Sequence, residues 1–393
     1  MSVSKLVFTP LNYTGWGSLK QLLPEVRKYN PRHILIVTDP TLEKIGLVER
    51  VSVPLHKEGY QVSVYSEILP EPPLETGEKL VDYTRENQFD LVIGLGGGSA
   101  LDMAKLAAVL SAHEGPVADY LNLSGSRNIE KKGLPKILIP TTSGTGSEVT
   151  NISVLSLEST KDVVTHDYLL ADAAIVDPEL TVSVPAKVTA ATGIDALTHA
   201  VEAYVSVNAS PASDGLALQA IRLIARSIQT AVNNGQDQQA RTDMSHGSFI
   251  AGLAFFNAGV AGVHALAYPL GGQFHLPHGE SNAVLLPYVM GYIRQSCTKR
   301  MADILNALGG NSAFLSEEEA SRQCVKALEK LVKDVGIPTT LREFNIPEEA
   351  LDCLTEDGLK QKRLLARSPL PLKKEDIHKI YKSAFEGVIT EPS

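Results

Sequence analysis

The sequence predicts two domains, an N-terminal α/β domain built on a parallel sheet and an all-α C-terminal domain. In the first half of the chain, short apolar runs alternate with helical patterns, which is typical of a parallel sheet with helices on both faces. After Pro185 the segments have helical spacing and few β-branched runs. A chain of 393 residues is also too long for one ordinary hydrophobic core. We therefore predict an α/β domain over residues 1–184 and an all-helical domain over residues 185–393.

The strands and helices of the first domain follow from its hydrophobic pattern. Short apolar or alternating runs predict strands at residues 33–39, 60–65, 90–95 and 136–140, and further strands at 154–157 and 173–177. Helical spacing predicts helices at residues 42–57, with a break or kink at Pro54, at 76–87 and at 100–111. The mostly polar segment 158–170 is expected to be a hairpin or a loop.

The second domain is predicted to consist of helices. Their spacing places them at residues 187–207, 211–233, 236–258, 301–308 and 317–334. Pro185 is positioned to open the first of them. Ser210-Pro211 is a good opening for the second, because serine caps a helix and proline suits its first turn.

The composition narrows the class of protein. Lysine and arginine number 36 against 45 aspartates and glutamates, and this net charge of −9 argues against nucleic acid or an anionic membrane as a main partner. The three cysteines, Cys297, Cys324 and Cys353, form no CxxC pair and are expected to be reduced thiols. No apolar run approaches the ~18 residues of a membrane-spanning helix, and residues 1–10 do not resemble a signal peptide. A cytoplasmic protein is the resulting expectation.

A glycine-rich turn precedes the predicted helix at residues 100–111. It contains Gly96, Gly97, Gly98 and Ser99. Glycines let a ligand approach the backbone closely, and the free N–H groups of a helix N-terminus attract a phosphate. Ser99 is expected either to cap the helix or to bond a phosphate oxygen. The alternative is a tight turn without a ligand, and the spacing differs from the GxGxxG of ordinary Rossmann domains.

Two further features lie at the ends of predicted strands. Residues 140–148 combine threonines, serines and glycines that suit a nucleotide's sugar and phosphates, at the strand end where open α/β sheets bind ligands. Asp39 ends another strand, where a carboxylate accepts hydrogen bonds from an adenosine ribose and repels a 2′-phosphate, which favours NAD over NADP. A plain loop and an ordinary helix cap are the respective alternatives.

Four residues of the second domain offer ligands for a divalent metal. Asp195 and His199 are four residues apart and therefore share one face of a helix. His264 and His278 flank a predicted break at residues 269–272, so they are expected to come from different elements. One carboxylate and three imidazoles suit Fe²⁺, Zn²⁺, Mn²⁺ or Co²⁺. Packed core histidines are the alternative, although an unpaired imidazole in apolar surroundings would be costly.

Taken together, these stretches resemble the iron-containing (group III) alcohol dehydrogenase family. The resemblance extends from Gly15 to about Met290. The matching stretches are residues 96–99 with Asp102, 140–150, 176–178, 193–199 with Glu202, and 264–279. Agreement across all of them by chance is remote.

The resemblance implies an N-terminal dinucleotide-binding, Rossmann-like domain and a C-terminal metal-binding domain, with the active site in the cleft between them. It implies Fe²⁺, or Zn²⁺ or another divalent metal in its place, held by Asp195, His199, His264 and His278. It also implies NAD in preference to NADP, and a homodimer. The residues implied to contact the cofactor are Asp39, Gly96, Gly97, Gly98, Ser99, Thr141, Thr142, Thr145 and Lys161.

Some positions depart from the family pattern. Many members have a proton-relaying histidine four residues after the third ligand, whereas this chain has Tyr268. Because a tyrosine with a pKa near ~10 is a poor proton shuttle at neutral pH, His275 is a second catalytic candidate, with a surface or packed histidine as the alternative. Glu71 stands where some members have asparagine, which puts a cofactor contact there in doubt. For Lys161, a solvated loop lysine is the alternative to a cofactor contact.

The expected activity is hydride transfer between a primary alcohol or aldehyde and the nicotinamide of NAD. The metal would act as a Lewis acid on the substrate oxygen, while the protein aligns the reacting carbons and excludes water. Phe255 and Phe256 either line an apolar substrate pocket or belong to a helix core. The alternatives are a polyol or hydroxy-acid dehydrogenase of the same family, or a non-catalytic nucleotide-binding protein on the same scaffold.

Overall fold

The structure is a computed structural model that describes residues 3–158 and 160–391. These residues form two compact units. One unit is Phe8–Ser183. The other consists of the described residues from Val184 onward, together with those that precede Phe8.

The first unit contains a six-stranded parallel sheet covered by helices. Its strands are β1 (Asn12–Thr14), β2 (His33–Val37), β3 (Gln61–Tyr65), β4 (Leu91–Gly96), β5 (Lys136–Pro140), β6 (Ile152–Ser156), β7 (Lys161–Thr165) and β8 (Ala173–Val176). Its helices are α1 (Leu22–Arg27), α2 (Pro40–Lys44), α3 (Glu49–Lys57), α4 (Leu74–Glu86) and α5 (Gly98–Leu110). The sheet has the strand order β1-β8-β5-β4-β2-β3 with parallel pairing throughout, and β6 and β7 form a separate antiparallel hairpin.

The central strands are buried on both faces, as a parallel sheet requires. In β2, Leu35 and Val37 belong to one hydrophobic cluster, while Ile34 and Ile36 belong to another. Because successive strand residues point to opposite faces, these two clusters lie on opposite sides of the sheet. A continuous apolar run such as His33–Val37 is therefore the pattern of a strand with helices on both sides.

The carboxyl ends of three neighbouring strands bring Asp39, the glycine-rich turn and the turn after β5 to one edge of the sheet. Gly96 of β4 is the register partner of Pro140 of β5, and Gly94 of β4 pairs with Val37 of β2. The chain moves from β2 to β3 on one side and then to β4 on the other, so the strand order reverses between β2 and β4. Open α/β sheets bind ligands at such a reversal.

Most of the predicted elements of the first unit are confirmed, with corrections in two segments. The predicted helix 42–57 is wrong as one helix, because the chain breaks into α2 and α3 around Gly46, which has a φ of +75° that suits glycine. The predicted break at Pro54 is also wrong, since Pro54 lies inside α3. The segment 158–170, left open as hairpin or loop, contains β7, which closes the hairpin with β6. The short edge strand β1 was not predicted.

The second unit is helical. Its helices are α6 (Ala186–Val205), α7 (Pro211–Asn233), α8 (Gln238–Ala258), α9 (Gly262–Phe274), α10 (His278–Ile293), α11 (Thr298–Ala307), α12 (Glu317–Asp334), α13 (Leu351–Leu359), α14 (Lys362–Leu365) and α15 (Lys374–Glu386). The predicted start of α7 is confirmed: the Ser210 side chain accepts a hydrogen bond from the Ser213 N–H, and Pro211 opens the helix. Pro185 directly precedes α6, which begins at Ala186.

One predicted break in this unit is wrong. Residues 269–272 do not interrupt the helix, because α9 continues through Pro269 to Phe274. The helix ends instead at His275, which adopts a left-handed conformation with a φ of 53°. His264 and His278 nevertheless come from different helices, α9 and α10, as predicted.

Across residues 3–158 and 160–391, no single helix is both long and apolar enough to cross a membrane. The pair α8 and α9 passes that test of length and composition when the two are joined, but they are bent by 105° at their junction. Cys297, Cys324 and Cys353 are free thiols, and the first two are buried.

Candidate functional site

Three helices of the second unit bring four potential metal ligands together. Asp195 and His199 lie on α6, His264 lies on α9, and His278 is the first residue of α10. Each offers one ligand atom, and these four atoms all lie within 4.8 Å of one another. Asp195, His199 and His264 are buried, while the His278 side chain keeps 24 % of its exposure. The cluster is therefore accessible from one side.

Glu202 holds the histidine of α9. Its Oε2 lies 2.5 Å from Nδ1 of His264, and its Oε1 accepts a 2.6 Å hydrogen bond from the Val263 N–H. Glu202 lies three residues after His199, so the two share a face of α6. The Nδ1 atom of His264 is thereby occupied, and its Nε2 faces Asp195 Oδ1 at 3.8 Å.

Asn282 of α10 lies against the same ligand atoms. Its Nδ2 donates a 2.7 Å hydrogen bond to Asp195 Oδ1 and lies 3.2 Å from the Nε2 atoms of both His264 and His278. The lone pairs of Asp195 Oδ1, His264 Nε2 and His278 Nε2 therefore surround the Nδ2 atom of Asn282. The Oδ1 of Asn282 is buried without a hydrogen-bond partner among the described residues, and an orphaned acceptor beside a cluster of lone pairs would be satisfied by a bound cation or donor.

The charge of the cluster suits a cation. Burial by itself would raise the pKa of Asp195, but the imidazoles of His199, His278 and His264, together with the hydrogen bond from Asn282, outweigh burial and lower the pKa. An ionised carboxylate with three imidazole nitrogens is a four-ligand set for a borderline divalent metal such as Fe²⁺ or Zn²⁺. The residues present therefore fit the metal that the sequence suggested.

Aromatic residues border the cluster. Phe255 stacks on the His199 ring, with 4.2 Å between centroids and 17° between planes, so it contacts a candidate ligand directly. The Tyr268 ring lies 6.0 Å from the His278 ring and is partly buried. His275 is exposed, at the end of α9. The catalytic roles suggested for Tyr268 and His275 stay predictions.

The glycine-rich turn of the first unit forms the start of α5. Gly97 is the residue before the helix and Gly98 is its first residue. Ser99 lies inside the first turn, so the prediction that it caps the helix is wrong, while its phosphate contact stays a prediction beside the alternative of a turn without a ligand. The first N–H groups of a helix have no partner within the helix, and they point toward an anion at its N-terminus.

The turn after β5 packs directly against this helix start. The Thr141 N–H donates a 2.9 Å hydrogen bond to the Gly96 carbonyl oxygen. A Cβ added at Gly98 would lie 2.6 Å from Cγ2 of Thr145, and one at Gly97 would lie 3.5 Å from Oγ1 of Thr142. Only glycine at position 98 allows the two turns to meet this closely, and the result is a backbone cradle of the kind that accommodates a pyrophosphate.

Asp39 follows β2 at the same edge of the sheet. Its Oδ1 accepts hydrogen bonds from the Thr41 and Leu42 N–H groups, at 2.9 and 3.1 Å, so it caps α2. Its Oδ2 lies 3.6 Å from the position that a Cβ on Gly96 would occupy. The helix cap is confirmed, while the contact with a ribose stays a prediction for the second oxygen.

A buried polar network ties α5 to the turn after β5. Asp102 Oδ1 accepts hydrogen bonds from Ser147 Oγ, at 2.5 Å, and from Lys105 Nζ, at 2.8 Å. Glu148 is fully buried nearby, and burial raises its pKa to about 7 despite its own backbone N–H and the charge of Lys105. Buried side chains thus hold the start of α5 and the turn after β5 together on the side away from solvent.

Lys161 is buried rather than solvated, so the alternative of a loop lysine is wrong. It is the first residue of β7, and its Nζ forms an ion pair with Oε2 of Glu71. Glu71 has a φ of 52°, a left-handed conformation that asparagine adopts more readily than glutamate. The structure thus assigns Glu71 a partner, and a cofactor contact of Lys161 stays a prediction.

Two residues of the metal cluster were given no role from the sequence. Glu202 belongs to a matching stretch and Asn282 was not singled out, although each lies one helical turn after a candidate ligand, at i+3 from His199 and i+4 from His278. This spacing is the signal that could have identified them. It does not reveal which side chain each would contact, because both reach across to residues of another helix.

Comparisons with known proteins match both halves of the chain to one family. A profile of the family "Iron-containing alcohol dehydrogenase" matches residues 10–178, and a profile of the "Fe-containing alcohol dehydrogenase family, C-terminal" matches residues 189–385. The chain is 74% identical over 392 residues to long-chain-alcohol dehydrogenase 1 of Geobacillus thermodenitrificans (strain NG80-2), covering 100% of this chain and 99% of the relative.

Solved structures show the same fold. A crystal structure of 1,3-propanediol oxidoreductase has a TM-score of 0.94 at 34% identity, covering 98% of this chain and 100% of the other. Sulfoacetaldehyde reductase from Bifidobacterium kashiwanohense, in complex with NAD⁺, has a TM-score of 0.87 at 28% identity, covering 98% of this chain and 99% of the other. The protein belongs to the iron-containing alcohol dehydrogenase family of oxidoreductases.

Proposed function

We propose that this protein is a metal-dependent, NAD-linked alcohol dehydrogenase that interconverts a primary alcohol and its aldehyde. The observation that carries the proposal is the convergence of four ligand atoms within 4.8 Å on α6, α9 and α10. Iron is the favoured metal because the family is named for it. NAD is the favoured cofactor because a relative of the same fold binds NAD⁺ and because Asp39 places a carboxylate beside the glycine-rich turn.

Asp195, His199, His264 and His278 would hold a metal whose Lewis acidity would lower the pKa of an alcohol, and a bound nicotinamide would supply the hydride acceptor. The protein's own contribution at the cluster is orientation. Asn282 holds Oδ1 of Asp195 in place, and Glu202 directs Nε2 of His264 toward the other ligand atoms. Phe255, stacked on His199, restricts that ring and shields it from water. Rings held in this way lose less conformational freedom when the metal binds, and the ligand atoms have only a short distance to move.

In the first unit the protein would bind the dinucleotide through its backbone. The open N–H groups at Gly98 and Ser99 would receive the pyrophosphate, with Thr142 and Thr145 beside them. The free oxygen of Asp39 would accept from the adenosine ribose and disfavour a 2′-phosphate. Tyr268 and His275 are the candidates for proton transfer, and the geometry favours Tyr268, whose ring lies 6.0 Å from that of His278.

We propose long-chain primary alcohols as the substrate class, because the relative with 74% identity is a long-chain-alcohol dehydrogenase. The half-buried side chains of Phe255 and Phe256 are consistent with an apolar substrate. Apolar binding energy grows by about 0.8 kcal/mol for each buried methylene group, so kcat/KM is expected to rise with chain length until the pocket is filled. A homodimer and a cytoplasmic location, both expected from the family resemblance and the composition, complete the proposal.

A direct test combines metal analysis with a substrate series. The purified chain should contain a divalent metal, and it should reduce NAD⁺ with 1-alkanols, with NADP⁺ giving lower kcat/KM. Replacing His264 by Ala should remove both the metal and the turnover. Full metal content with full activity in that variant would refute the metal centre. Metal and dinucleotide binding without turnover on any alcohol or aldehyde would favour the alternative of a non-catalytic nucleotide-binding protein.

A further inference from the structure

We propose that Glu202 is a positioning residue that fixes the tautomer of His264 and thereby sets the affinity of the metal centre. The inference rests on the proposed function, because it requires a metal at the cluster. Glu202 itself is not among the four ligands, and it acts through His264. Its side chain is fully buried on α6.

The two hydrogen bonds of Glu202 determine which nitrogen of His264 carries the hydrogen. An ionised carboxylate only accepts, so the Nδ1 atom, 2.5 Å from Oε2, must be the donor. The neutral imidazole then has a bare lone pair on Nε2. This assignment is compatible with the neighbouring amide, because the Nδ2 of Asn282, which only donates, lies 3.2 Å from that Nε2 and from Nε2 of His278.

The second oxygen of Glu202 fixes the backbone that carries His264. Oε1 accepts from the N–H of Val263, in the first turn of α9, at 2.6 Å. Ala261, the residue before the helix, provides no side-chain cap, so Glu202 supplies one from α6. The carboxylate thus lies at the positive end of the α9 dipole, which offsets part of the cost of burying its charge. One side chain positions both the helix and the ring.

This arrangement makes a specific demand on the residue at position 202. It must accept two hydrogen bonds at once, one from a backbone amide and one from an imidazole. Glutamine has the same shape but offers one accepting oxygen and one donating amide group. If the oxygen stays on Val263, the amide group meets Nδ1 of His264 and drives the hydrogen to Nε2, which can then no longer bind a metal.

The test is the variant Glu202→Gln of the full chain, stripped of metal with a chelator and titrated with Zn²⁺. We expect the Kd for Zn²⁺ to rise about 10- to 100-fold, the range seen when an outer-shell partner of a ligating histidine is lost. In the metal-free wild-type chain, ¹⁵N NMR of labelled histidine should show His264 with its hydrogen on Nδ1. In Glu202→Gln the hydrogen should move to Nε2. A merely structural role would not move the tautomer.

Asp243→Asn is the matched control. Asp243 is a buried carboxylate of α8 that accepts from Arg226 and Ser227, away from the ligand set. Its substitution should lower thermal stability and leave the Kd for Zn²⁺ unchanged. An equal rise in Kd in this variant would attribute the effect of Glu202→Gln to general loosening and would overturn the proposal.

Further outcomes separate this inference from the proposed function. If His264→Ala abolishes Zn²⁺ binding and Glu202→Gln does not weaken it, the metal centre stands and the role of Glu202 is refuted. If His264→Ala binds Zn²⁺ as wild type does, the metal centre itself is refuted. If Glu202→Gln fails to fold, the wild-type NMR spectrum still decides, because an Nε2–H tautomer of His264 would contradict the proposal.

Discussion

The metal cluster of the second unit contains a buried carboxyl group, and so does the region beneath the glycine-rich turn and the turn after β5. The pKa values of these two groups are shifted in opposite directions. The pKa of Asp195 is lowered, since three imidazoles outweigh the effect of burial. The pKa of Glu148 is raised to about 7, since burial outweighs its own backbone N–H and Lys105. Equal burial therefore accompanies opposite pKa shifts, and the neighbouring groups decide the direction. A carboxyl surrounded by imidazoles is prepared for a cation, whereas one beneath a phosphate cradle is stabilised in its neutral form.

The two regions also differ in what they offer a ligand. The cluster presents side-chain lone pairs, and two of the ligands are held by a partner on another helix: Glu202 orients His264, and Asn282 holds Asp195. The turns present backbone N–H groups at the start of α5, and they depend on the absence of a side chain at Gly98. A substitution should therefore affect metal binding or dinucleotide binding, but not both. Four variants test these differences between the two regions.

Asp195→Asn should have the largest effect. It preserves size but removes the only carboxylate of the ligand set, and the loss of a ligand should exceed the effect of losing an outer-shell partner. We expect the affinity for Zn²⁺ to fall roughly 1,000-fold and turnover to fall with it. NADH affinity, measured by fluorescence, should stay unchanged. Asp237→Asn, at the cap of α8, is the control and should leave both affinities as in wild type.

Glu148→Gln should change the pH dependence of stability. Below pH 4.5 the Glu148 carboxyl is protonated in both the folded and the unfolded chain. Between pH 4.5 and about 7 it ionises only in the unfolded chain. The free energy of unfolding therefore falls as pH rises through this range. At about 1.4 kcal/mol for each pH unit between the two pKa values, the loss approaches about 3 kcal/mol. Urea unfolding at pH 5 and pH 8 should show this loss as a change in the difference between the free energies of unfolding of wild type and variant. Parallel pH profiles for the two proteins would contradict the raised pKa.

Gly98→Ala should weaken dinucleotide binding without affecting the metal. The new Cβ would lie 2.6 Å from Thr145 Cγ2, so the turn after β5 must move away from the start of α5. We expect the KM for NAD⁺ to rise about 10-fold, or about 1.4 kcal/mol of binding. Gly215→Ala on α7 is the control, because its Cβ would meet nothing within 4 Å. A higher KM in Gly98→Ala together with metal loss would show that the two regions are not independent.

Asp39→Asn should have the smallest effect on stability and separates the two roles of that residue. Asparagine caps α2 as well as aspartate does, so the free energy of unfolding should change by less than about 0.5 kcal/mol. Loss of the negative charge should improve kcat/KM with NADP⁺ relative to NAD⁺ by about 10-fold, because a 2′-phosphate would no longer be repelled. An unchanged cofactor preference would leave Asp39 as a helix cap alone.

The local features of this protein were predictable from its sequence. The central strands, the start of α7 at Ser210-Pro211 and the glycine-rich start of α5 each depend on neighbouring residues only, through periodicity, capping and φ freedom. The errors also have local causes. The predicted break at Pro54 was wrong, because the helix ends earlier, near Gly46, and a new helix contains Pro54. The predicted break at residues 269–272 was wrong, because α9 continues through Pro269.

The sequence by itself determined the residue types of the cluster and the face that Asp195 and His199 share, because helical spacing depends only on position along the chain. Only the tertiary structure decided that α9 and α10 bring His264 and His278 to that face. The same holds for the contact of Glu202 with Nδ1 of His264 and for the ion pair of Lys161 with Glu71. Contacts between residues 62 or 90 positions apart depend on how helices and strands pack, and no local pattern encodes that geometry. The physical reason is that a hydrogen bond is decided by distance and angle in space, and the packed core sets both.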